Sequence, residues 1–412
     1  MASDSFDVII AGAGPAGSTL AAYLAKEKVR VLLLDKAHFP RDKTCGDAIG
    51  GRCLKIIGEL GLMDAFEFVP REEYDKIYFV SPNGSNVVID IPQNPSVPVP
   101  SFCCRREVFD NVLFQNAKSQ PYVTTIENFT VTDIIKDEKG FVVGVKGMNG
   151  NSKQPQEFRA KVVAGADGAT STVASKLGQL NLDPNHHCIS VRGYYSGITG
   201  MNKGIEIYFI DQVIPGYFWI FPLEDGKANV GVGMLTKEIR SKNIDLKKRM
   251  FDAIKTRPEF IERFKNAKLI SEVKGWTLPF GSKKMKLAGD GYVLLGDAAS
   301  LIDPFSGEGI GNGMFSAKHA APIILEALKS NDFSESQLSK YQDDLWNQGL
   351  GAEIKMSYFL QRIGKFKRLA NFFIGKAQRS PYVRETISGM LVNADAKKKM
   401  MSPTFYLKLL FS

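Results

Sequence analysis

The chain has 412 residues, 44% of them hydrophobic, and carries 53 Lys and Arg against 44 Asp and Glu, a net charge of +9. That is enough apolar sequence for two domains with a sizeable core, and there is no internal repeat or low-complexity tract. Five cysteines without a C-x-x-C pair argue against a disulfide framework, four histidines without ligand spacing argue against zinc, and no apolar run approaches the roughly 20 residues of a membrane span.

In chain order, Phe6–Ala11 reads as a short buried strand that starts almost at the N-terminus. No secretory leader is therefore expected, and a cytoplasmic location is. Gly12-Ala-Gly-Pro-Ala-Gly17 is a G-x-G-x-x-G turn opening a helix, and the strand Val29–Leu34 ends at Asp35. Glycines here permit a tight turn and close approach of a pyrophosphate, Pro15 suits the first helical turn, and Asp35 is placed to bind a ribose hydroxyl. Residues 54–65 read as helix, 74–103 as β-type runs broken by Pro and Gly, and Arg105–Ser119 as helix. Val123–Gly147 reads as a β-meander, 162–178 as strand, loop and helix, and 187–281 as mostly strand.

The apolar run Tyr292–Leu295 feeds Gly296-Asp297, and the Gly-rich stretch to Gly313 precedes a helix. A carboxylate past a buried strand accepts hydrogen bonds from a polyol, and the N–H groups of the helix start favour an anion. Residues 353–412 hold twelve basic and three acidic residues, which accounts for the whole net charge. There FLQRIGKFKRLANFFIGKAQR (359–379) and the terminal KKKMMSPTFYLKLLFS interleave Phe, Leu and Ile with Lys and Arg. This pattern suits either a helix on an anionic membrane surface or a helical bundle with solvated basic faces. No nucleic-acid module accompanies the charge, so nucleic acid is not an expected partner.

The order GAGPAG (12–17), R-x-x-F-D (Arg106–Asp110), GADGATS (165–171) and GDAASLIDP (296–304) resembles the FAD-dependent oxidoreductases of the para-hydroxybenzoate hydroxylase fold over residues 5–330. The resemblance implies an α/β fold: a Rossmann-type FAD-binding domain (1–72, 104–186, 282–330), an inserted antiparallel β-sheet substrate domain (73–103, 187–281) and a basic helical C-terminal region (331–412). It implies FAD contacts from Gly12, Gly14, Pro15, Ala16, Gly17, Asp35, Lys36, Arg41, Cys45, Gly46, Ala48, Arg106, Val131, Asp167, Gly296, Asp297, Gly309, Ile310 and Gly311. Asp35 stands where Glu is usual, which shortens the reach and keeps the chemistry. Ala174 replaces an Arg frequent after the GADG motif, which weakens the case for direct NADPH handling; NAD(P)H and a ferredoxin-like protein both stand as electron donors.

Two segments narrow the resemblance to the geranylgeranyl reductases: Arg41–Gly51 (RDKTCGDAIGG), and Tyr217, Trp219, Phe221 and Pro222 followed by Gly231 and Gly233 in a Y-x-W-x-F-P-x8-G-x-G pattern. In that family the aromatic segment lines a lipid cavity and the Cys-Gly pair, here Cys45-Gly46, approaches the flavin. The implied reaction is saturation of an isoprenoid C=C bond, with Cys45 as the candidate catalytic residue. Burying one isoprene unit, about five carbons at roughly 0.8 kcal/mol each, contributes about 4 kcal/mol, so apolar positioning carries recognition. GYFWIFP is also close to the G-W-x-W-x-I-P pattern of flavin-dependent halogenases, departing at Tyr217 and Phe221, with Lys76 as the lysine such chemistry needs. A monooxygenase of the same fold and a non-enzymatic, flavin-containing lipid-binding protein would carry the same cofactor motifs.

Overall fold

The computed structural model describes residues 6–91, 100–181 and 183–392. The terminal KKKMMSPTFYLKLLFS segment lies outside the described residues. The first sheet centres on the parallel strands Pro155–Gly165, Phe6–Ala11 and Val31–Leu34, flanked by Tyr292–Leu294 and Val123–Ile126. Val8, Ile9 and Ile10 are fully shielded, as are Val31 and Leu32 in the neighbouring strand. Continuous apolar runs of this kind suit a parallel sheet covered on both faces. The helices Pro15–Lys26, Arg106–Lys118 and Ile310–Ser330 pack together beside this sheet. An antiparallel meander, Phe129–Lys136, Val142–Asn149 and the start of Pro155–Gly165, extends the same sheet.

The second sheet is mainly antiparallel. It runs through His187–Ser196, Lys227–Leu235, Gly216–Leu223, Gly204–Tyr208, Lys76–Val80 and Asn86–Asp90, with Lys274–Pro279 beside the first of these. Gly204–Tyr208 pairs in parallel with Lys76–Val80. Strand alternation divides Gly216–Leu223 cleanly. Phe218 and Ile220 pack with Met250, Phe260 and Phe264, while Tyr217, Trp219 and Phe221 join Tyr74, Ile77 and Ile205 on the opposite face.

The partners on the first face are a correction to the strand-like reading of 187–281. Thr236–Ser241, Leu246–Thr256 and Pro258–Phe264 are helices. Asp245 caps the second by accepting from Lys248 N–H at 2.9 Å, and Leu246, Met250 and Ala253 form its buried stripe. The 54–65 helix is in fact two, Arg52–Glu59 and Met63–Glu67, parted at Gly61 with its φ of +74°.

The helices Gly351–Gly364, Lys367–Arg379 and Pro381–Val392 form a layer over the edge of the second sheet. Met356, Ile374, Ala377 and Val383 pack there against Val87 and Ile89. No described helix is long and apolar enough to cross a membrane.

Candidate active site

A cavity of about 1980 Å³ runs between the two sheets and under the C-terminal helices. A pocket for one small ligand typically measures about 300–1,000 Å³, so this one has room for two. One lobe is polar, glycine-rich and formed by the parallel sheet; the other is aromatic and formed by the second sheet.

In the polar lobe, Gly12, Gly14, Pro15, Ala16, Asp35, Lys36, Val131 and Asp167 line the wall, joined by Gly296, Asp297, Gly309, Ile310 and Gly311. Gly12 has φ +99°, and a Cβ there would lie 2.3 Å from the Ala166 carbonyl oxygen, so only glycine brings this turn against the strand end. Gly17 does not line the cavity; a Cβ there would sit 1.8 Å from the Gly12 oxygen, which makes it the packing glycine of the motif. At Gly14, by contrast, the nearest atom to an added Cβ is an Arg41 nitrogen at 3.5 Å, which leaves room for a ligand to approach the backbone. Asp35 accepts from the N–H groups of Ala13 and Ala37, both at 2.8 Å, and so rigidifies the turn it faces. Asp167 lines the cavity, but its carboxylate accepts from Ser171 Oγ–H and from the N–H groups of Thr172 and Val173, serving the helix Thr172–Lys176.

Cations gather across from this turn. Arg106 donates to both oxygens of Asp110 at 2.6 and 2.7 Å, and Arg41 pairs with the same carboxylate at 2.9 Å. Burial opposes the Arg106 charge, yet Asp110 holds it firmly protonated. Lys43 lies 3.7 Å from the Trp276 ring centroid, and burial lowers its pKa to about 7. The Asp297 carboxyl is raised by burial and partly restored by Lys43 and Arg106. Three cations, an inward-facing carboxyl, an accessible glycine turn and the start of the helix Ile310–Ser330 together fit a dinucleotide with a diphosphate and a polyol.

Cys45, Gly46 and Ala48 line the seam between the lobes. Burial raises the Cys45 thiol above its ordinary range, so it is neutral at physiological pH. An added Cβ on Gly46 would lie 2.9 Å from the Phe221 ring, which shows how closely this loop meets the aromatic lobe.

In the aromatic lobe, Tyr217, Trp219, Phe221 and Gly233 line the cavity with Phe79, Phe209, Phe305, Met356 and Leu360. Tyr217 and Phe221 flank the Trp219 ring with centroids 5.9 and 6.2 Å away. Gly231 does not line the cavity and lies beneath the indole, where a Cβ would come within 2.3 Å of Trp219 Cζ2. Pro222 points to the opposite face, as strand alternation requires. Lys76 is absent from the cavity lining; it begins its strand opposite Asp90 and Gly204.

Sequence reading missed a polar network behind the aromatic wall. Trp219 Nε1–H donates to Asn229 Oδ1 at 2.8 Å, and Asn229 Nδ2–H donates to the Cys45 carbonyl and to Asp47 Oδ2, both at 2.7 Å. Tyr194 O–H donates to the same Asp47 oxygen at 2.9 Å. The available signals were an Asn within the apolar strand ANVGVGML and an Asp two residues past Cys45.

The FAD binding domain family matches residues 5–345. The chain is 32% identical to a digeranylgeranylglycerophospholipid reductase of Methanosarcina acetivorans over 362 residues, 87% of this chain and 84% of that one. It is 31% identical to a menaquinone reductase of Mycobacterium tuberculosis over 327 residues, 78% of this chain and 77% of that one. A geranylgeranyl bacteriochlorophyll reductase-like structure from Thermoplasma acidophilum superimposes with a TM-score of 0.82 at 22% identity, covering 96% of this chain and 98% of that one. A flavin-dependent brominase superimposes with a TM-score of 0.77 at 22% identity, covering 94% and 93%. The fold and the matched domain define an FAD-dependent oxidoreductase. Sequence kinship narrows this further, and the chain belongs to the geranylgeranyl reductase family.

Proposed function

We propose that this flavoprotein saturates C=C bonds of a geranylgeranyl-type isoprenoid lipid. The observation that carries the reading is the joining of a polar, diphosphate-suited lobe to an aromatic lobe in one cavity of about 1980 Å³. Bound FAD, once reduced, supplies the hydride. Gly12, Gly14 and the start of the helix Ile310–Ser330 would receive its diphosphate, Arg41 and Arg106 would offset its charge, and Asp297 would accept from its ribityl hydroxyls. Asp35 would hold the adenosine ribose, and the backbone near Val131 the adenine. Tyr217, Trp219 and Phe221 hold an unactivated alkene that offers no polar handle, so shape and desolvation position it.

Lys76 stands outside the cavity lining, which counts against the halogenase reading. The electron donor is NAD(P)H or a ferredoxin-like protein. The C-terminal helices carry exposed Phe359, Phe366, Leu369 and Phe372 among Arg362, Lys365 and Arg368, which suits docking of the outer face on an anionic membrane that holds the substrate.

The test is anaerobic reduction of the FAD-loaded protein with a geranylgeranyl phospholipid, followed by mass spectrometry. Two hydrogens gained for each double bond lost support the reading. Incorporation of oxygen or bromine, or a flavin that never passes electrons to lipid, refutes it.

A further inference from the structure

Asp47 is fully shielded from solvent, borders the cavity at the seam between its lobes, and has φ +69° in the left-handed region. A non-glycine residue there is held against its backbone preference by the surrounding structure. Its carboxyl is asymmetric. Oδ2 accepts from Asn229 and Tyr194, whereas buried Oδ1 has no hydrogen-bond partner. An oxygen with two donors aimed at it is an acceptor, so a proton on this carboxyl resides on Oδ1.

Resting on the reductase reading above, we propose that Asp47 donates the proton that completes alkene reduction. Hydride from reduced FAD brings the electron pair of the first C–H bond to one alkene carbon, and the π bond breaks. The O–H bond at Oδ1 breaks as well, and its proton takes up the former π pair to form the second C–H bond. Asp47 is left as a carboxylate, which regains its proton from water admitted to the cavity it borders as the product leaves. Asn229 and Tyr194 stabilise that carboxylate and act as positioning residues.

The groups facing Asp47 support this assignment. Burial lifts its pKa to about 7, opposed by Asn229, Arg192, Tyr194 and Arg106, so much of it stays protonated at neutral pH. Cys103, Cys104 and Cys45 also lie within its electrostatic reach, and each of these thiols is raised by burial. Cys104 N–H also donates to the Asp47 carbonyl at 2.9 Å, which fixes the turn. A carboxyl at about 7 parts with its proton more readily than a Cys45 thiol held above its ordinary range.

Asp47→Asn removes the proton and keeps an oxygen able to accept from both donors. Its kcat for lipid reduction should fall by about 10²–10⁴-fold, with KM and FAD content unchanged. Wild-type kcat should decline as pH rises through about 7. Tyr194→Phe removes one donor to the carboxylate, so it should move that decline to higher pH. An infrared titration of the oxidised, FAD-loaded protein should show a protonated carboxyl band that disappears near neutrality and is missing in Asp47→Asn. If Asp47→Asn keeps wild-type kcat, if Tyr194→Phe leaves the pH profile in place, or if no such band titrates, the assignment is overturned. A wild-type protein with no isoprenoid turnover would overturn the reductase reading instead, whereas turnover that survives in Asp47→Asn overturns the role of Asp47 alone.

Discussion

Replacing Trp219 with Ala separates a substrate wall from an ordinary sheet core. Trp219 is 6% exposed, and its indole sits over Gly231 and between Tyr217 and Phe221 and donates to Asn229 Oδ1 at 2.8 Å. Truncation of a buried aromatic costs about 3–5 kcal/mol of stability, including the unsatisfied Asn229 oxygen. A wall residue should lose ligand affinity as well. A buried aromatic of this size covers about 200 Å², so one face turned to a lipid is roughly 70 Å². At about 25 cal/mol per Å² this is about 2 kcal/mol, or about 30-fold in lipid affinity. The assay pairs guanidinium unfolding of the FAD-loaded protein with titration of a geranylgeranyl lipid and steady-state kinetics. Trp219→Phe should retain most of the affinity while losing the bond to Asn229. Lowered stability with unchanged lipid affinity and reduction would refute the cavity-wall argument and leave the aromatic strand as core.

Gly12→Ala should abolish FAD retention, because its Cβ would fall 2.3 Å from the Ala166 oxygen at φ +99°; an FAD-replete, stable Gly12→Ala protein would contradict this. The Lys43 ammonium, with its pKa lowered by burial to about 7, loses its proton as pH rises through neutrality in the FAD-free protein. FAD affinity, measured by fluorescence quenching, should therefore weaken above about pH 7 by up to about tenfold per unit, and Lys43→Met should lose that slope. Arg362→Gln with Lys365→Gln should weaken sedimentation with anionic vesicles by about 30-fold, at about 1 kcal/mol per charge, without changing FAD content.

Site chemistry was legible in the sequence where a few residues at fixed spacing within one segment carry it. The turn Gly12–Gly17, Asp297 past its strand and the alternation of Tyr217, Trp219 and Phe221 needed only spacing to be read. The helices between 236 and 264 were missed because short strands dominate the flanking sequence, although Leu246, Met250 and Ala253 already lie at helical spacing. The Asp47 network was invisible for a different reason. It joins residues 182 positions apart, and Asn229 gains its meaning only from standing opposite Phe221 in the register of the second sheet. Asp35 shows the converse: its place in the motif was evident, but its two backbone donors belong to tertiary geometry.

The basic C-terminal pattern posed a choice between membrane surface and bundle core, and the helices divide their faces between core and solvent. Within Gly351–Gly364 and the residue after it, Met356, Leu360, Gln361 and Gly364 line the cavity while Phe359, Arg362 and Lys365 are exposed. Arg52 ties this helix to the glycine-rich one, donating to Glu353 at 2.9 Å and to Asn312 at 2.6 Å. A helix is only about 10–12 Å across, side chains included. On the proposed reading, an isoprenoid tail leaving an anionic bilayer would cross that single layer to reach the aromatic lobe. The exposed apolar and basic residues would then shorten the exposure of the tail to water, where each uncovered CH₂ costs about 0.8 kcal/mol.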